Sequence, residues 1–335
     1  MISLKSNKIK ALAAGLMLAL ALGVLGCGGD KKEAGAKAEK VNVGIVQLVE
    51  HEALDAANKG FIDGLASKGY KEGQNITFDK QNAQADQSNL QNIAHRFVNN
   101  KVDLICAIAT PAAQTVANVT SDIPIVATTV TDYKTAKLVK DDAKPGTNVT
   151  GTTDMNPVAE QLDLLLKLVP NAKTIGTIYC SSEVNSQLQV ELLKKAAAAK
   201  GITVKEATVS TVNDIQQAAR SLAGDVQAVY VPTDNVLASA IPTLISVTEE
   251  AKLPVICAEG GMVRAGGLAT LGVDYYKLGF QTGVMAADIL SGKSKPADMA
   301  IQAQKEFKPT INLKEAAKIG LKVPEDLLKG AEVIK

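Results

Sequence analysis

From residue 41 onward, short runs of β-branched and other apolar residues alternate with longer stretches whose apolar positions recur every three or four residues. That alternation predicts βα units around a parallel sheet. In the first half it gives strands over 41–48, 75–81, 104–108 and 125–129, with helices over 53–68, 87–99 and 112–119. The second half repeats the plan, with strands over 174–179, 203–208, 228–231 and 255–258 and helices over 186–200, 212–222 and 238–250. A further strand, 268–272, leads into a helix over 276–290. Gly69 and Gly201 each follow a lysine-containing last turn and suit left-handed helix ends, while Pro124 and Pro254 open strands.

Two similar halves predict an α/β fold of two doubly wound parallel-sheet lobes joined by a hinge. The turn-rich segment 145–151, the stretch near Val273 and the segment 292–296 read as crossings. They divide the chain into a first lobe of 41–151 with 274–296 and a second of 152–273 with 297–335. Open parallel sheets bind ligands beyond the carboxyl ends of their strands, so two facing lobes enclose a cleft rich in helix N-termini.

Residues 1–40 do not belong to this pattern. Lys5, Lys8 and Lys10 precede an apolar run from Ala11 to Leu25 that ends at Gly26-Cys27, which reads as a signal peptide over 1–26. The run is shorter than the ~20 residues that span a bilayer. Val24-Leu25-Gly26-Cys27 resembles a bacterial lipobox, with Cys27 the acylated first residue of the mature chain and 27–40 a tether holding it to the membrane. Cys106, Cys180 and Cys257 remain, each at the end of an apolar run. With flavodoxin-like strand order, the runs ending at Cys180 and Cys257 stand two strand spacings apart, about 9 to 10 Å, too far for a disulfide. A net charge of +1 lacks the basic excess that nucleic-acid binding needs.

The residues that follow the strands are polar. Thr110 precedes a helix and, with the N–H groups of Ala112 and Ala113, offers donors to a carboxylate, or else caps its own helix. Asn185 and Ser186 make the same offer from the second half, and Thr131 and Asp132 follow another strand of the first. Asp234, Glu259 and Asp274 can hold an ammonium group, or else cap and remain solvated. Donors in one lobe and acids in the other suit a zwitterion. Two histidines, no nucleophile motif, no G-x-G-x-x-G after the first strand and no P-loop leave catalysis and cofactors without a signature. His51, between Glu50 and Glu52, reads as a cleft-rim residue with Val49 beside it. A ligand-sensing protein or an enzyme on the same fold is the competing class.

Four segments taken in order, Val46-Gln47-Leu48-Val49-Glu50-His51, Ala107-Ile108-Ala109-Thr110-Pro111, Val229-Tyr230-Val231-Pro232-Thr233-Asp234-Asn235 and Gly272-Val273-Asp274-Tyr275-Tyr276, resemble the ABC transporter substrate-binding family that includes tryptophan and tyrosine receptors. The resemblance runs from 41 to 335. Glu52 stands where the family pattern has proline. The resemblance implies a type I periplasmic-binding-protein fold, a membrane permease and an ATPase as partners, no catalysis, and aromatic or hydrophobic amino acids as ligands of some members. The protein is then expected to act as an exported, lipid-anchored monomer. Its ligand carboxylate would sit at Thr110, Ala112 and Ala113, its ammonium at Asp234, Glu259 or Asp274, and its side chain near Val49, Glu50 and His51.

Overall fold

The structure, a computed structural model, describes residues 40–335. The signal peptide, Cys27 and all but the last residue of the tether lie outside the described residues. Among the described residues no helix is long and apolar enough to cross a membrane.

One sheet contains β1 (Val41–Gln47), β2 (Ile76–Asn82), β3 (Leu104–Ile108), β4 (Ile125–Val130), β5 (Val149–Thr153) and the short β11 (Gln302–Ala303), in the order β11-β5-β4-β3-β1-β2. The other contains β6 (Thr174–Cys180), β7 (Thr203–Val209), β8 (Val229–Val231), β9 (Val255–Cys257), β10 (Ala269–Gly272), β12 (Lys308–Asn312) and β13 (Glu332–Ile334), in the order β13-β12-β10-β9-β8-β6-β7. The first five strands of each share one winding order, and only the β10–β12 pair is antiparallel. Helices α1 (Glu52–Ser67), α2 (Gln87–Asn99) and α3 (Thr110–Val119) belong to the first lobe. The second lobe holds α4 (Val158–Leu168), α5 (Val184–Ala198), α6 (Ile215–Leu222), α7 (Asn235–Ser239), α8 (Ile241–Glu250) and α9 (Gly260–Arg264). Then α10 (Tyr275–Leu290) returns to the first sheet, and α11 (Leu313–Ile319) covers the second.

Three differences from the sequence reading have physical causes. Residues 149–153 form a buried strand, because the hydroxyl of Thr152 pairs with those of Thr128 and Thr282, at 3.2 and 2.8 Å, and so enters the core satisfied. Gly151, at φ +150°, allows this strand to close on β4, where any Cβ would collide with the Ala127 carbonyl. The helix expected over 238–250 is two helices that break at Ala240, since Pro242 cannot donate a backbone bond and its ring crowds the preceding turn.

The third difference concerns the crossings. They run over 154–157, 273–274 and 304–307, the last being later than Lys295. After α10 the chain first returns along β5, with the Thr150 hydroxyl donating to the Met299 carbonyl at 2.6 Å, and only beyond β11 does it pass to β12. Residues 152–153 and 297–303 therefore stand with the first lobe, not the second.

Helices α1 and α10 run side by side in the same direction, and glycines make the contact. A methyl group at Gly60 would overlap the Tyr276 carbonyl, and one at Gly279 would overlap the Ala57 carbonyl. Such backbone contact brings the two helix N-termini to the same place beneath the cleft. Cys106, Cys180 and Cys257 are all unpaired and buried, and β8 lies between the strands ending at Cys180 and Cys257.

Candidate ligand-binding site

Strand-end loops of both lobes line one cavity between them, whose free volume of about 20 Å³ is room for a single water. The first lobe and its crossings supply His51, Ala53, Leu54, Thr131, Asp154 and Tyr275. Asn185, Thr233, Asp234, Asn235, Glu259 and Met262 come from the second. Two polar contacts join the lobes across it: Thr131 Oγ1 to Thr233 Oγ1 at 3.3 Å and His51 Nε2 to Asn235 Oδ1 at 3.3 Å. At the rim, Arg264 of α9 pairs with Glu52 of α1 and, at 3.1 Å, with Glu332 of β13.

Three buried carboxylates face the cavity, and among the described residues no lysine or arginine is in its wall. Asp154 accepts from Thr131 Oγ1 and Tyr275 Oη, each at 3.0 Å. Asp234 caps α7, accepting from Leu237 N at 2.9 Å while its other oxygen takes Cys180 N at 2.6 Å and Ser186 Oγ at 2.7 Å. Glu259 caps α9 with both oxygens, accepting from Gly261 N at 2.6 Å and Met262 N at 2.8 Å. Burial raises the pKa of all three, that of Glu259 to about 7, because an ion is poorly solvated there. A positive ligand group would relieve that cost.

Donors come chiefly from α1. Its first residue follows His51, whose side chain makes no capping bond, and the first helical bond runs from Asp55 N to the His51 carbonyl at 3.0 Å. The N–H groups of Ala53 and Leu54 thus have no acceptor among the described residues, and both residues line the cavity.

Of the residues singled out in the sequence, His51, Thr131, Asn185, Asp234 and Glu259 line this cavity. Ser186 stands behind it, donating to Asp234. The others fall elsewhere. Ala112 and Ala113 are packed in the first core, and Ala113 N donates to the Ala109 carbonyl at 3.0 Å, so α3 is not the helix that opens into the cavity. Thr110 is buried with an unpartnered hydroxyl, outside the cavity wall. The Val49 carbonyl accepts from Gln47 Nε2 at 2.9 Å, and Glu50 points to solvent. Asp132 closes a turn through Thr135 N at 2.6 Å. Asp274 caps α10 through Lys277 N at 3.1 Å and lines a neighbouring surface recess.

The sequence reading missed Asp154, Thr233, Asn235 and Tyr275 as wall residues. Thr233 and Asn235 flank Asp234 in the quoted segment, and Tyr275 follows Asp274, so adjacency was the available signal. Asp154 had none, because its strand was read as a turn.

A family model described as ABC transporter substrate binding protein matches residues 42–335, and the chain belongs to that family. It is 46% identical over 299 residues, 87% of this chain and 86% of the relative, to a tyrosine-binding protein of Clostridioides difficile. A Streptococcus structure of an ABC domain in complex with L-Trp is 41% identical, with TM-score 0.85 over 89% of this chain and 100% of that one. The ligand-free, open structure of a Clostridium difficile substrate binding protein with adhesive properties is 44% identical over 88% of this chain and 99% of that one, with TM-score 0.68. The lobes thus stand as in the tryptophan complex rather than as in the open form, in agreement with the contacts that bridge the cleft. The fold is the two-lobed type I periplasmic-binding-protein arrangement.

Proposed function

We propose that the protein is the extracytoplasmic receptor of an ABC importer and binds a free amino acid with an aromatic or other large apolar side chain. The observation that carries this reading is the cavity itself: three buried acids without a lysine or arginine, opposite an uncapped helix N-terminus. An α-ammonium group meets the acids, Asp154 first, because its present partners are two hydroxyls while Asp234 and Glu259 already bind backbone N–H groups. The carboxylate meets the N–H groups of Ala53 and Leu54, where the helix dipole favours negative charge. The side chain lies along Leu54, Met262 and Tyr275.

Both lobes touch the ligand only when closed, so binding shifts the population toward the closed form that a permease and its ATPase recognise. The protein acts as a monomer without catalysis, held to the membrane by a lipid on Cys27. Support comes from a relative named tyrosine-binding protein and from a related structure in complex with L-Trp. Calorimetric titration of ligand-stripped protein with the common amino acids, sugars and nucleosides is expected to find an aromatic amino acid as the tightest ligand. A sugar or nucleoside in that place would overturn the ligand class. Intact mass from the native host is expected to show an acylated Cys27.

A further inference from the structure

His51 is the basic side chain of the cavity wall, and its protonation pattern is fixed from the far lobe. Asn235 Nδ2 donates to Glu183 Oε2 at 2.6 Å. Glu183 takes Asn185 Nδ2 at 2.9 Å and Asn235 N at 3.0 Å as well, and burial with the neighbouring Asp234 raises its pKa to about 8. With Glu183 ionised, the amide of Asn235 keeps Nδ2 on that carboxylate and its Oδ1 faces His51 as an acceptor. His51 Nε2, 3.3 Å away, must carry the hydrogen.

Burial holds the imidazole below its ordinary pKa, so at neutral pH the ring has one proton and spends it on Nε2. Nδ1 is left a bare acceptor, buried and with no donor among the described residues. The His51 side chain makes no capping bond to α1 and its Nε2 meets Asn235, so it does not occupy the helix N–H groups assigned to the carboxylate. A buried acceptor without a partner is costly, and once a ligand displaces water from the cavity the ligand must supply the donor.

An amino acid offers two kinds of donor, and the three carboxylates already serve the ammonium. We infer that His51 Nδ1 accepts a hydrogen bond from a donor on the ligand side chain, so the site selects side chains that carry an O–H or N–H over isosteres that lack one. Asn235 and Glu183 are positioning residues that keep Nδ1 unprotonated. This rests on the amino-acid reading of the cavity and deepens it.

The test compares two matched pairs, tyrosine with phenylalanine and tryptophan with 3-benzothienylalanine, by calorimetry on wild type, His51→Phe and His51→Gln. Wild type is expected to favour the donor-bearing member of each pair by about 10- to 100-fold. His51→Phe should lose most of that ratio while still binding phenylalanine, and His51→Gln, which keeps an acceptor, should restore part of it. Nitrogen-15 NMR of the ligand-free protein at about pH 9, where Glu183 is ionised, is expected to show the Nε2–H tautomer, and Asn235→Ala should mix the two tautomers. Equal binding within each pair by wild type, or equal weakening of all four ligands by His51→Phe, would overturn the inference while leaving the amino-acid reading intact. No amino-acid binding at all would instead defeat that reading and the inference with it.

Discussion

Tyr275 Oη donates to Asp154 Oδ2 at 3.0 Å, joining the first residue of α10 to the segment that leaves β5. Two of the three connections between the lobes are thus hydrogen-bonded to each other inside the cavity wall. A ligand group bound at that carboxylate would act on two of the connections between the lobes.

Asp154→Asn is therefore expected to weaken amino-acid binding by about 10- to 100-fold, the usual cost of losing one charged partner in a desolvated site. Tyr275→Phe should cost less, about tenfold, since Thr131 still holds the carboxylate. Calorimetry measures both, and an unchanged affinity in Asp154→Asn would remove that residue from the site.

The buried acids give the protein a pH dependence whose sign can be worked out. Glu259 has an ordinary value of 4.5 and is raised to about 7 when folded, and Asp154 and Asp234 shift in the same direction. The folded state binds these protons more tightly than the unfolded state, so their contribution is fully present at low pH and is lost as pH rises through about 7. Thermal denaturation of the ligand-free protein should show stability declining between about pH 5 and 8 from these groups. Ligand affinity should move the other way and rise through the same range, because an ammonium favours the ionised acids. Calorimetry near pH 6 in buffers of different ionisation enthalpy is expected to detect proton release on binding.

At the rim, Arg264 reaches Glu52 across the cleft and is held on its own lobe by Glu332. The Arg264 and Glu52 side chains are 38% and 51% exposed, so the pair is worth at most about 1 kcal/mol and is screened by salt. Arg264→Ala should speed ligand release about two- to fivefold with little change in the association rate, and the difference should shrink at high ionic strength. Stopped-flow measurements check this, and an unaltered release rate at low salt would show that the pair does not latch the cleft.

The glycine contact between α1 and α10 predicts that Gly279→Ala destabilises the folded protein by about 1–3 kcal/mol, because the helices must separate to admit the methyl group. Since both helix N-termini line the cavity, ligand affinity should fall along with the denaturation midpoint. Urea unfolding together with calorimetry would test the coupling.

The alternation of buried strands and amphipathic helices was legible because periodicity is local: each run of 41–47 or 174–180 carries its own pattern. Asp234 and Glu259 were also legible, since residues that follow parallel strands stand at the carboxyl edge of the sheet, although Thr110 and Asp132 show that this position alone does not reach the cavity. The donor side of the cavity was not. The sequence offered the starts of α3 and α5, and only packing brought in another: Ala112 and Ala113 are buried in the core, whereas the N-terminus of α1 opens into the cavity beside that of α10. Strand β5 escaped notice because Thr150 and Thr152 look like loop residues until Met299, Thr128 and Thr282 satisfy their hydroxyls, and with it went Asp154. Only the tertiary structure could place that carboxylate beside Tyr275, 121 residues away, because burial and hydrogen-bond partners are properties of neighbours in space that local sequence does not carry.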